Sequence, residues 1–164
     1  MAIVSTDIKY RLSGGAANTN PAASLGGAKS STDVPAGIFD DVSSAEASAG
    51  AVEYRCVYVH NNHGTLSLIG AKLWIQSNTP SASTDIAVGL GSSGLNATEQ
   101  TVASETTAPT GVAFSTPSAF ASGLTLGDVP AGQHFPIWVR RTVTAGAVAA
   151  ADTFTLRVQG DTNP

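Results

Sequence analysis

From Glu53 onward, apolar positions recur every second residue, the period of a strand with one face buried. Tyr54, Cys56, Tyr58 and His60 form one set, and Arg55, Val57 and Val59 form the other. Asn61-Asn62-His63-Gly64 supplies a turn, and Leu66 and Leu68 follow in phase. Beyond Gly70 the alternation resumes with Ala71, Leu73 and Ile75 on one side and Lys72, Trp74 and Gln76 on the other, which predicts a bulge or kink at the glycine. Short strands are expected at Asp85 to Leu90, Val112 to Phe114 and Leu124 to Leu126, between loops rich in Ser, Thr, Gly and Pro. After the turn residues Asp128-Val129-Pro130-Ala131-Gly132, Ile137, Val139 and Val143 alternate with Trp138, Arg140 and Thr142. The closing strand puts Phe154, Leu156 and Val158 on one face.

Many short strands separated by turns predict an all-β fold, an antiparallel β-sandwich, Ig-like or jelly-roll-like, of about seven to nine strands. Its expected core comprises Cys56, Leu73, Ile75, Val88, Ile137, Val139, Phe154, Leu156 and Val158. Before the strands, Ser43 and Glu46 have the spacing of a capping box, and the Ala-rich run ending at Gly50 predicts a short connector helix. The first 35 residues read differently. Ile8, Tyr10 and Leu12 alternate with Lys9 and Arg11, but the stretch from Ser13 to Pro35 is rich in Gly, Ala, Asn and Ser and has little to bury. We therefore expect an extended N-terminal arm over 1–35, ordered only by a partner, and one sandwich domain over 36–164.

Charged residues make up 12% of the 164-residue chain, about half the usual share, so its surface must be covered by Ser, Thr, Ala and Gly. Such a surface suits permanent packing against neighbours, because few ions lose their water on burial. A net charge of −4 provides no basic patch for nucleic acid. The lone cysteine, Cys56, has no partner for an internal disulfide and reads as a buried, unreactive residue. No run of apolar residues has the length of a signal-peptide core or a membrane span, and synthesis in the cytoplasm is expected.

No catalytic residue, cofactor or metal ligand is nominated. Gly89-Leu90-Gly91-Ser92-Ser93-Gly94 matches G-x-G-x-x-G, but no helical periodicity follows it, and a flexible loop is expected instead of a nucleotide cradle. His60, His63 and His134 lack further ligands for zinc and read as exposed turn histidines. Asp40 and Asp41 precede the capping box, where carboxylates favour helix N–H groups, a reading preferred to paired-acid catalysis. Asn96-Ala97-Thr98 is a formal glycosylation acceptor without a secretory context. Trp138 and Arg140 share one strand face and are the interface candidates, with intramolecular packing the alternative.

Five segments, in this order, resemble small structural proteins of tailed bacteriophages: Ile8-Lys9-Tyr10-Arg11-Leu12-Ser13-Gly14-Gly15, Ser24-Leu25-Gly26-Gly27, Phe39-Asp40-Asp41-Val42, Glu53-Tyr54-Arg55-Cys56 and Ile137-Trp138-Val139-Arg140-Arg141. The resemblance implies a non-enzymatic virion component, foremost a capsid decoration or cement protein on the capsid exterior. Its implied partners are the phage major capsid protein and further copies of itself, a trimer being one arrangement. Tail, baseplate or head-fibre proteins, and a carbohydrate- or surface-binding β-sandwich, are the alternatives; an aromatic content of 6% argues against an aromatic-lined groove.

Overall fold

A computed structural model describes residues 2–162. Its seven strands are β1 (Ile8–Leu12), β2 (Ala51–Asn61), β3 (Leu68–Ser77), β4 (Thr84–Leu90), β5 (Leu124–Val129), β6 (His134–Val143) and β7 (Thr155–Thr162). They form two antiparallel sheets, one of four strands in the order β1-β2-β6-β4 and one of three in the order β5-β3-β7. The fold is an all-β sandwich. Among the described residues the single α-helix, α1 (Ser44–Ala49), carries the expected capping box: Ser43 Oγ accepts from the Glu46 N–H at 3.3 Å, and Glu46 Oε2 accepts from the Ser43 N–H at 2.7 Å.

The inter-sheet core follows from the pleat. Val57 and Val59 of β2, Ile137 and Val139 of β6, and Ile86 and Val88 of β4 pack against Leu68, Ala71, Leu73 and Ile75 of β3. At Gly70, with φ +59°, the pairing slips on both sides of β3, so the expected bulge is present. Leu156 and Val158 are only partly buried, because β7 is an edge strand, and Phe154, which precedes β7, is partly buried too. Val112 to Phe114 is loop instead of strand, with only an isolated bridge from Ser115 to Val88.

Cys56 is buried, but in a second core on the opposite face, with Tyr58, Val102 and Trp138. This core exists because loops cover the outside of the four-stranded sheet, and the N-terminal stretch is one of those loops. Our expectation of an extended arm over 1–35 is corrected here. β1 pairs with β2 along its whole length, and residues beyond it fold back on the same chain. The Cys56 N–H donates to Ser24 O at 2.8 Å, Ser13 Oγ donates to Cys56 O at 2.8 Å, and the Val102 N–H donates to Leu25 O at 2.9 Å. Ser13, Ser24 and Ser30 are buried. Few apolar side chains were available to dock this segment, so its order comes from backbone and serine hydrogen bonds made within the chain. Burial also pushes the Cys56 thiol pKa well up, outweighing its contact with Ser13.

Candidate functional site

Of the two interface candidates, Trp138 lies wholly within its own chain. It stands opposite Cys56 on the outer face of the four-stranded sheet, with none of its surface exposed, and so presents nothing to a partner. Its Nε1–H points to Glu99 Oε1 at 3.4 Å. Arg140, two residue pairs along and opposite Tyr54, is half-buried, with its guanidinium 5.3 Å from the Phe114 ring centroid.

The glycine-rich string ends β4 and turns into a loop that binds an anion, the chain's own Glu99. Ser92 and Ser93 donate both their backbone N–H groups and their hydroxyls to the Glu99 carboxylate, at 2.7 to 3.2 Å. A Cβ at Gly91 would lie 2.5 Å from Glu99 Oε2, which explains a glycine there. Burial raises the carboxyl's pKa, but the hydrogen bonds from Ser93, Gln100 and Ser92 together outweigh it and hold the group below the usual carboxylate range. The Glu99 N–H donates to the Tyr58 hydroxyl at 2.9 Å, and that hydroxyl donates to Gly27 O at 2.6 Å. Glu99 thus ties three loops to Trp138 and Tyr58. Its role was missed in the sequence because an isolated Glu after a Ser-Ser turn has no recognisable spacing rule.

His60 and His134 are cross-strand partners with ring centroids 6.5 Å apart, and Tyr58 meets the His134 ring edge-on at 5.0 Å. They are strand residues, and His60 is buried, so the expectation of exposed turn histidines fails for this pair. His63 does lie in the turn, where its Nδ1 accepts from the Thr65 and Leu66 N–H groups. Burial, then the positive charge of Lys29, lowers the pKa of both strand histidines, that of His134 to about 4.

At the far end of the inter-sheet face, Glu53, Arg55 and Arg141 point inward where apolar residues would otherwise continue. Arg141 Nε meets Glu53 Oε2 at 2.6 Å, and Arg55 Nη2 meets Glu105 Oε2 at 2.5 Å. Asp40 lies 3.5 Å from Arg55 and 3.7 Å from Arg141, so its carboxylate serves this network and not the helix N-terminus that we expected. Phe39 covers both guanidiniums, 5.4 Å from Arg55 and 4.8 Å from Arg141. Asp40, Glu53 and Glu105 are, among the described residues, the one cluster with a spacing suited to a metal ion. Two guanidiniums, of Arg55 and Arg141, already pair with its three carboxylates. Beside it, a cleft of about 1040 Å³ runs between the sheets, lined by Ile38, Phe39, Val139, Phe154, Leu156 and Arg141 among others.

No known family, curated protein or solved structure matches this chain. The likeness to tailed-phage proteins therefore rests on the five sequence segments alone.

Proposed function

We propose that the chain is a non-enzymatic structural protein of a tailed-phage virion, a decoration or cement protein that packs on the outside of the major capsid lattice. The observation that carries this reading is where the charges go. The sequence has few of them, and Glu53, Arg55, Glu99 and Arg141 are spent in the interior on one another and on loop hydrogen bonds. The charges left outside are few and stand among Ser, Thr, Ala and Gly, and a surface of small, weakly hydrated side chains loses little when neighbours cover it. The loops packed over the four-stranded sheet cover it on its outer face and give a rigid body suited to lattice packing. Because the N-terminal stretch is occupied within the chain, contacts with a capsid fall to the sandwich surface and to the exposed part of Arg140.

The test is mass spectrometry and cryo-EM of particles assembled from the genome that encodes this chain. We expect the chain in purified particles, with sandwich-sized density on the capsid exterior. Density confined to the tail would move it to the tail or baseplate class, and absence from the particles would sink the virion reading.

A further inference from the structure

We infer that β7 is a self-association edge, along which two copies of this chain pair antiparallel about a two-fold axis at Gln159. This inference does not depend on the virion reading. Among the described residues, the β7 backbone pairs only with β3; no backbone partner reaches its other edge, and the Tyr10 hydroxyl is the one side-chain group that lies against it, at Val158. An open edge is a template for a further strand unless the chain blocks it. Of the remaining edges, two are covered and the third is irregular. The free side of β1 is covered by residues 30–34, through bonds such as the Val34 N–H to Tyr10 O at 2.8 Å. The free side of β4 is bridged by Ser115 at Val88. β5 is broken by a register shift against β3, and its Asp128 carboxylate turns back to the Gly70 N–H at 2.8 Å. The irregularities in the β3–β7 pair, by contrast, add residues to β3, so β7 itself runs straight.

The sequence of β7 is complementary to itself. With Gln159 opposite Gln159 of a second copy, Arg157 stands opposite Asp161 and Asp161 opposite Arg157, which makes two opposite-charge cross-strand pairs on the exposed face. Among the described residues, Asp161 has no salt-bridge partner, and Arg157 only overlies the Trp74 ring at 5.7 Å. On the inner face, Val158 of one copy meets Gly160 of the other. Gly160 can hold no side chain, since a Cβ there would lie 2.6 Å from Ile69 O, so the valine faces no opposing side chain. A crevice of about 360 Å³ opens there, lined by Ile3, Val4, Ile8, Leu156 and Val158, with Val4 half exposed. The entering Val158 finds apolar walls in it. The two three-stranded sheets would become one continuous sheet, closing the edge.

Sedimentation velocity on the full chain is expected to show a monomer–dimer equilibrium. Arg157→Asp alone, or Asp161→Arg alone, places like charges opposite each other twice and should weaken the dimer about tenfold, while the double exchange Arg157→Asp/Asp161→Arg should restore it. The rescue separates pairing from any loss of fold in the single variants. Gln159→Cys tests the register, because opposed Cα atoms in an antiparallel pair lie about 4.5–5.5 Å apart, within reach of a disulfide. With Cys56 buried, mild oxidation should give a covalent dimer through position 159. A protein that stays monomeric into the high-micromolar range, or an oligomer unmoved by charge reversal and not cross-linked at 159, overturns the inference.

Discussion

The four-stranded sheet is buried on both faces and covered along both outer edges, whereas the three-stranded sheet has one face on the core and the other toward solvent. The difference is written into their strands. Every residue of β2 from Arg55 to Asn61 is buried, odd and even alike, while β7 alternates exposed and half-buried positions throughout. A strand buried on both faces loses the simple alternation that marks a half-buried one. The first sheet is thus the rigid centre of a three-layer body, and the second is the layer left over for contact.

The two tryptophans sharpen this contrast most. Trp138 lies in the loop-covered core with none of its surface exposed; Trp74 lies on the outer face of the three-stranded sheet, covered by Phe120 and Arg157. In equilibrium urea unfolding, Trp138→Ala should cost about 3–5 kcal/mol, since it leaves a cavity beneath several loops. Trp74→Ala should cost about 1–3 kcal/mol, because its cover is made of surface side chains, Phe120 and Arg157, that are free to collapse. Equal losses would mean that the outer face of the three-stranded sheet is packed as tightly as the other.

A smaller effect is expected at Glu99, which fastens the loop layer. Glu99→Gln keeps the shape but replaces one acceptor oxygen with an NH2 group that faces the Ser92 or Ser93 donors. The loss should be about 1–3 kcal/mol. Hydrogen exchange should quicken at residues 92–102 and 24–27 and stay unchanged across β3 and β7. Faster exchange everywhere would show that the loop layer and the sheets open together.

The strands, the helix cap and the bulge at Gly70 were legible because each depends on neighbours in sequence. The choice of core face was not. Tyr54, Cys56 and Tyr58 made as good a buried set as Val57 and Val59, and the chain buries both, one against the second sheet and one under loops. The N-terminal stretch was misread for a related reason. Its composition shows that hydrophobic burial cannot order it, but the hydrogen bonds that do, such as Ser24 O to Cys56 N–H, join positions far apart in the chain. Trp138 was misjudged as a contact candidate because its cover comes from those same loops. Arg55 and Arg141 belonged to apolar-looking alternations, and only the fold shows that Asp40, Glu53 and Glu105 meet them.

The last and smallest effect is in the pH dependence of the four-stranded sheet, which carries His60 and His134 while the three-stranded sheet has no histidine. His134 is held neutral by its burial first and then by the charges of Lys29 and His60, which brings its pKa from 6.5 to about 4. His60 is lowered too, by burial, Lys29 and Arg11, against the opposing effects of Gly132 O and Asp33. In the unfolded chain both rings bind protons near pH 6.5, whereas in the folded chain they do so only at lower pH. The unfolded state therefore holds more protons between these values. The stability these rings contribute is complete above about pH 6.5 and is lost as pH falls toward the folded value near 4. Glu99 adds its own loss at still lower pH, since its folded carboxyl titrates below the ordinary range. Urea midpoints measured from pH 7 to pH 4 should fall, and His134→Gln should flatten that fall while leaving the steeper loss below pH 4 in place. Because both rings keep partial contact with solvent, the slope should be modest. A midpoint that does not move until the carboxylates titrate would mean that the loops over this face admit enough water to hydrate the imidazoliums, and the contrast between a closed sheet and an open one would weaken accordingly.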